Sequence, residues 1–293
     1  MELRVLRYFL AVAREQSFSA AAERLYLSQP TLSRQIGELE EELGKTLLIR
    51  TNRGVVLTEE GMLFRKRAEE ITDLVDKTEE EVRQSDTVSG TVYIGAGETY
   101  AIKLIADTAR RLRADHPGIR YSLYSGNGTD VLEKLGQGLL DFGLVFGDVD
   151  RTVYDAAEIP LHDTWGVLMR RDEPMAAKKS ITIGDLSGLD LIIPKQPNHS
   201  TFLSELIAAQ APDANIIGEY NLIYNASVMV REGMGCAVTL DRLINVSGDS
   251  SLCFIPFEPR IEAVSSFIWK RYPVFTKAAG IFLEEFRRVI GEQ

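Results

Sequence analysis

Apolar residues recur at helical spacing through the first 58 positions. Leu3, Leu6, Leu10 and Ala13 fall 3-4-3 apart and predict a first helix with one inward face. Ser17 or Ser19 can cap a second helix, the alanine-rich AAAERL, whose small side chains permit close helix approach. After YLS, Ser28 can cap a third helix. Pro30 fits its first turn, where a missing N–H is harmless. Leu32, Ile36, Leu39 and Leu43 form its inward stripe, and Gly44 is its expected stop. The following LLIRTNRGVVLT reads as two short strands around Asn52-Arg53-Gly54, a hairpin.

The pattern then changes. Leu57, Gly61, Phe64, Ala68, Ile71, Val75, Thr78 and Val82 alternate four and three apart, with Glu, Lys and Arg between them. Such a heptad seam implies a partner, most simply the same helix of a second subunit. Phe64, Ala68, Ile71 and Val75 are its expected dimer contacts. SDTVSG, 85–90, reads as a linker.

From about Thr91, short apolar runs alternate with helical stretches. TVYIGA, IRYSLY, FGLVFG, WGVLMR, LDLIIP, GCAVTL, LCFIPF and SSFIWK predict strands. Helices are predicted at 102–114, 131–140, 201–210 and 275–290. Alternation of this kind predicts an α/β architecture with mainly parallel sheets.

Composition adds limits. The chain has 293 residues, 45% hydrophobic and 26% charged, which suits packed cores. Its net charge of −10 argues against indiscriminate binding to nucleic acid or anionic membrane. The charge is uneven. Residues 1–58 hold eight basic and seven acidic side chains, so the acidity belongs to the remainder. Cys236 and Cys253 sit in apolar runs and read as reduced, buried thiols. No run is long enough to span a bilayer, and the charged N-terminal helix lacks a signal-peptide pattern. The cytoplasm is the default location.

Helix, helix, turn, helix and hairpin make a winged helix-turn-helix. Its recognition helix enters the major groove by its N-terminal side chains, while the hairpin wing touches backbone. Gln29, Thr31, Ser33 and Arg34 stand at that position. Glutamine pairs with adenine and arginine with guanine; hydroxyls and the helix N-terminus suit phosphate. Arg50, Arg53 and Thr58 flank the hairpin and suit phosphate contacts. Taken alone, the same face also fits a merely solvated side of an amphipathic helix.

At these residues the sequence resembles a known family. FLAVAREQSFSAAAERLYLSQPTLSRQIGELEEELGKTLLIRTNRGVVLTEEG is similar to the DNA-binding head of LysR-type transcriptional regulators. The resemblance covers head and linker helix specifically and the remainder more loosely. It implies an N-terminal all-α winged helix-turn-helix domain, 1–58, then a dimerising linker helix and hinge, 59–89. An effector-binding domain, 90–293, would follow, α/β and two-lobed like a periplasmic binding protein. Lobe one would be 90–161 with 267–293, and lobe two 162–266. The implied partners are double-stranded promoter DNA, a small-molecule effector, and copies of the chain in a homodimer or homotetramer. Two positions depart from the family pattern. Leu48 stands where phenylalanine is usual, and Gly37 where a long polar side chain is common.

Ligand sites in open α/β sheets lie beyond the carboxyl ends of strands. GAGETY, YSGNGT, VFGD and PKQPNHST then offer Glu98, Thr99, Tyr100, Ser125, Asn127, Phe146, Asn198, His199, Ser200 and Thr201, with Asn225 on a facing wall. Ser200 and Thr201 open a helix whose N-terminus could hold a carboxylate; Glu98, pointing inward, would favour an amine or hydroxyl. Any one of these residues also suits a plain turn. Chemistry of other kinds finds no support. His116, His162 and His199 make no metal-ligand spacing, and neither a nucleophile elbow nor a P-loop occurs. No enzyme activity, cofactor or metal is expected. The competing reading is a solute-binding or metabolite-sequestering protein whose N-terminal helices serve assembly.

Overall fold

The computed structural model describes residues 1–51, 54–82, 88–195 and 200–291; of residues 80, 200 and 201 only the backbone is described. The chain divides into two compact units, Met1–Arg83 and Gln84–Gln293.

The first unit opens with α1 (Leu3–Glu15), α2 (Phe18–Arg24) and α3 (Gln29–Leu43). Ser17 caps α2 by accepting from the Ala20 amide, and Ser28 caps α3 by accepting from the Thr31 amide, with Pro30 in the first turn. Strands β1 (Leu48–Thr51) and β2 (Gly54–Leu57) pair antiparallel as the wing. Gly54 has a φ of 129°, and a Cβ there would sit 2.7 Å from the Gln16 carbonyl oxygen, so the wing needs glycine. Phe9, Val12, Leu32, Ile36, Leu39 and Val55 are buried together. Leu48, the departure from the family pattern, is buried in the same core.

α4 (Glu59–Val82) is the long helix. Its first half does not form the expected dimer seam. Ala68 has no exposed surface, and Phe64 meets Phe9 edge-on at 4.9 Å, so both belong to the head's own core. A Cβ on Gly61 would collide with the Leu47 carbonyl oxygen, because the helix lies directly on the wing's base. Met62, Leu63, Ile71, Leu74 and Val82 are exposed, so of the expected contacts Ile71 stays open to a partner.

The second unit holds two mixed sheets. The first contains β3 (Ser89–Ala96), β4 (Gly118–Ser125), β5 (Phe142–Phe146), β6 (Tyr154–Glu158) and β13 (Ser265–Lys270), in the order β4-β3-β5-β13-β6. The second contains β7 (Asp163–Arg170), β8 (Asp190–Pro194), β9 (Asn215–Tyr220), β10 (Cys236–Leu240) and β11 (Leu252–Pro256), in the order β11-β7-β10-β8-β9. The short β12 (Glu262–Ala263) also pairs with β7. Each sheet is half parallel: β4-β3-β5 in one and β10-β8-β9 in the other. The strands on the crossing side pair antiparallel, so the expectation of mainly parallel sheets holds only for those halves. The chain crosses between sheets twice, from β6 to β7 and from β12 to β13.

Helices cover both faces of each sheet. On the first, α5 (Ile102–Asp115) and the C-terminal α9 (Lys277–Ile290) bury Leu104, Ile105, Phe282 and Phe286 against Phe142 and Phe267. The Phe267 and Phe286 rings stack at 4.0 Å. Each such ring contributes roughly 1.5–3 kcal/mol through burial. The opposite face takes α6 (Gly128–Gly136), which starts three residues earlier than the periodicity predicts because Asn127 caps it. On the second sheet, α7 (Ser200–Gln210) covers one face and α8 (Ile223–Arg231) the other.

Candidate DNA edge and effector cleft

The N-terminal half of α3 carries the predicted reading edge. Arg34 is exposed, with its guanidinium 3.7 Å from Glu38. Ser33 accepts a 2.6 Å hydrogen bond from Arg50 Nη2, and the same guanidinium lies 4.3 Å above the Phe18 ring. One wing arginine thus ties β1 to α2 and α3. Thr31 and Ser28 share a 2.7 Å hydroxyl bond. Gln35 donates to Glu38 at 2.7 Å. Gly37 faces open space, with nothing within 4 Å of where a Cβ would stand.

Thr58 is a correction. Its hydroxyl donates to the Thr46 carbonyl at 2.8 Å and accepts from the Gly61 amide at 2.8 Å. That is the cap of α4, which leaves no hydroxyl proton for a phosphate. Sequence reasoning also missed Glu40. It is one of three consecutive acids near the C-terminal end of α3. Its Oε1 instead accepts from the Leu47 and Leu48 amides at 2.6 and 3.0 Å, anchoring the start of the wing. Arg53 lies outside the described residues.

In the second unit a cavity of about 220 Å³ opens beyond the ends of β3 and β4. It is lined by Ala96, Gly97, Glu98, Thr99, Ile102, Leu123, Tyr124 and Ser125 from the first sheet's side and by Leu243 from the second. Ser125 lines it as predicted. Thr99 does too, yet its hydroxyl is spent: it is buried and donates to Asp163 Oδ2. Asp163 Oδ1 accepts from the Tyr100 amide at 3.2 Å and lies 3.5 Å from Arg242 Nη2. Arg242 in turn stacks over the Tyr100 ring at 4.4 Å. Thr99 through its hydroxyl and Tyr100 through its amide and ring therefore staple the two sheets together. Asp163 and Arg242 complete that staple, and no sequence signal marked either.

Asn127 is a correction as well. Its side chain accepts from the Asp130 amide at 2.9 Å as the cap of α6, so the plain turn reading holds there. Asn225 is exposed on α8 and lines no part of this cavity. Asn198 and His199 lie outside the described residues, and the side chains of Ser200 and Thr201 do too. Phe146 is half-buried and packs on the second sheet's core.

Two carboxyls here are perturbed. Burial pushes Glu98 above its ordinary value, and only the Ile223 amide opposes it, donating to Oε2 at 2.5 Å. Burial also raises Asp163, against the Thr99 hydroxyl and the Tyr100 amide. A larger cavity, about 410 Å³, is lined from the second sheet's side by Thr164, Asp241, Phe254 and Arg260 among others. Its polar groups already pair with one another: Arg260 donates to Thr164 Oγ1, whose own amide donates to Asp241. Among the described residues no cluster of three His, Cys, Asp or Glu could hold a metal ion. No described helix is long and apolar enough to cross a membrane.

Comparison with known proteins decides what this arrangement is. Residues 3–62 match the bacterial regulatory helix-turn-helix protein, lysR family, and residues 85–291 match the LysR substrate binding domain. The chain belongs to the LysR family of transcriptional regulators. It is a DNA-binding regulator with an effector-binding domain, and the family match at the head decides against the solute-binding alternative. The Hca operon transcriptional activator HcaR of Escherichia coli (strain K12) is 30% identical over 277 residues, 92% of each chain. The uncharacterized regulator YnfL of the same strain is 35% identical over 191 residues, 64% of this chain; the match spans 63% of YnfL. In three dimensions the regulator resembles CbnR, a LysR family transcriptional regulator. The TM-score is 0.80 at 21% identity, over 100% of both chains. CbnR complexed with its target DNA matches at 0.76, over 99% of this chain and 100% of that one.

Proposed function

We propose that this regulator reads promoter DNA with Gln29, Thr31, Ser33 and Arg34 of α3, while Arg50 and Arg53 of the wing contact phosphates. The supporting observation is the Arg50 bridge, which fixes the wing against Ser33 and leaves Arg34 exposed beside it. The CbnR complex lends weight, since a chain of the same fold is seen there on its target DNA. The effector occupies the cavity lined by Glu98, Tyr124, Ser125 and Leu243, between lobe one (90–161 and 267–293) and lobe two (162–266). Its binding shifts the lobes' relative population, which changes the spacing of heads on DNA. The protein works in the cytoplasm as a regulator and not as an enzyme.

Mobility shift on the chain's own upstream DNA tests the reading edge. Arg34→Ala should cost roughly 1–3 kcal/mol on the specific site and little on random sequence. Equal losses on both would make Arg34 a phosphate contact and sink the readout assignment. For the cleft, Leu123→Trp fills the cavity from a residue that is 59% exposed and so tolerates bulk. It should alter the DNase footprint without added ligand; an unchanged footprint argues that this cavity is not the effector site.

A further inference from the structure

Glu98 follows the carboxyl end of β3, where the connections of the first sheet turn to opposite sides. Its Oε2 accepts from the amide of Ile223, the first residue of α8, on the other side of the cleft. Leu222, the residue at the cap position of that helix, makes no side-chain capping bond, so Glu98 supplies the cap from the opposite lobe. This is its one hydrogen bond among the described residues, and no described lysine, arginine or histidine pairs with it. Asp163, a fully buried acid nearby, differs. It has a hydroxyl, an amide and an arginine around it. A half-buried carboxylate with one donor and no counter-charge among the described residues is electrostatically incomplete.

That carboxylate lines the cavity of about 220 Å³, whose other walls include the apolar side chains of Ile102, Leu123 and Leu243 and the ring of Tyr124. Apolar walls around a negative charge that no described cation pairs specify a small hydrophobic body bearing one positive charge. Resting on the reading of this cavity as the effector site, we propose that the effector is an ammonium compound: a protonated amine on a small apolar body. Its N–H groups donate to Glu98, and its body lies against Ile102, Leu123 and Leu243. An anionic ligand would instead meet the Glu98 charge at short range. Because Glu98 also caps α8, an ammonium on it redistributes the charge that joins the lobes, which couples occupancy to lobe position.

The test uses the full-length protein, with thermal shift and calorimetric titration. The probes are phenethylammonium and isopentylammonium against the carboxylates hydrocinnamate and isocaproate. The ammonium probes should bind about tenfold or more tighter than the carboxylates. Glu98→Gln keeps an acceptor for the Ile223 amide and removes the charge, so it should erase that preference. Leu123→Lys places an ammonium on the same cavity wall. It should raise Tm without any probe and block the ammonium probes, which keeps the proposal open to failure if Glu98→Gln folds poorly. Tighter binding of carboxylates, an ammonium preference that survives Glu98→Gln, or no binding by any ammonium probe each overturns it. A carboxylate that binds and is excluded by Leu123→Trp would overturn the charge class while leaving the cleft as the effector site. An unchanged footprint in Leu123→Trp would take away the cleft itself.

Discussion

Glu98 and Thr99 are neighbours with the same polar signature, and their surroundings give them opposite tasks. Thr99 is buried with its hydroxyl donated to Asp163. Thr99→Val should therefore cost roughly 1–3 kcal/mol by leaving a buried acceptor short of a donor. The measurement is a drop in the effector unit's Tm, followed by fluorescence of Trp165 and Trp269, which lie one in each sheet. An unchanged Tm would mean the hydroxyl faces the ligand after all. For Glu98 the sign follows from its raised pKa. The folded state holds the proton to higher pH than the unfolded chain does. The charged form therefore costs stability above the raised pKa, and the cost fades as pH falls through the ordinary carboxylate range. Glu98→Gln should be more stable than wild type at about pH 8, with the gain vanishing towards about pH 4. A pH-independent difference would show that Glu98 is not the titrating group. Gly37 is simpler. Its Cβ position is open, so Gly37→Ala should stabilise α3 by about 1 kcal/mol. Slower amide exchange in that helix checks it.

Among the elements, α4 shows how far periodicity reaches. The seam of four-three spacing was visible, and so was a long helix. Spacing alone could not say which surface each stretch would meet. Phe64 and Ala68 pack in the head's core, and the exposed apolar positions are Met62, Leu63, Ile71, Leu74 and Val82. Ile71→Asp should dissociate the oligomer in sedimentation with helical content intact. Ala68→Asp should unfold the head, seen as lost helical circular dichroism, because it places a charge in a dry core. If both variants behave alike, the division of the helix into core and interface fails. Caps were more legible than packing. Ser28 caps where the sequence puts it, and of Ser17 and Ser19 it is Ser17 that caps α2, since capping is a local bond within three residues. Strands β6 and β9 escaped notice because YDAAE and NIIGEY lack a sustained apolar run; they pair at sheet edges.

For the whole molecule, the alternating pattern predicts α/β layers, and two helix-covered sheets are what form. The double crossing between sheets makes the cleft. The bonds across it come from residues far apart in sequence: Thr99 with Asp163, and Glu98 with Ile223. Arg242 joins the staple by stacking on Tyr100 while bonding the His162 carbonyl at 2.8 Å.

What the sequence by itself determined is local or repetitive. It covers the capped helices, the wing, the α/β alternation and the acidity of the chain beyond residue 58. Each rests on spacing of a few residues, on side chains that bond their own turn, or on a count. What only the tertiary structure decided is which polar group spends its hydrogen bonds internally. Thr58, Asn127, Thr99 and Glu40 all do, and their partners are set by how the chain packs around them. Glu98 is set apart by the same packing, which half-buries it beside a cavity with a single amide as its hydrogen-bond partner among the described residues.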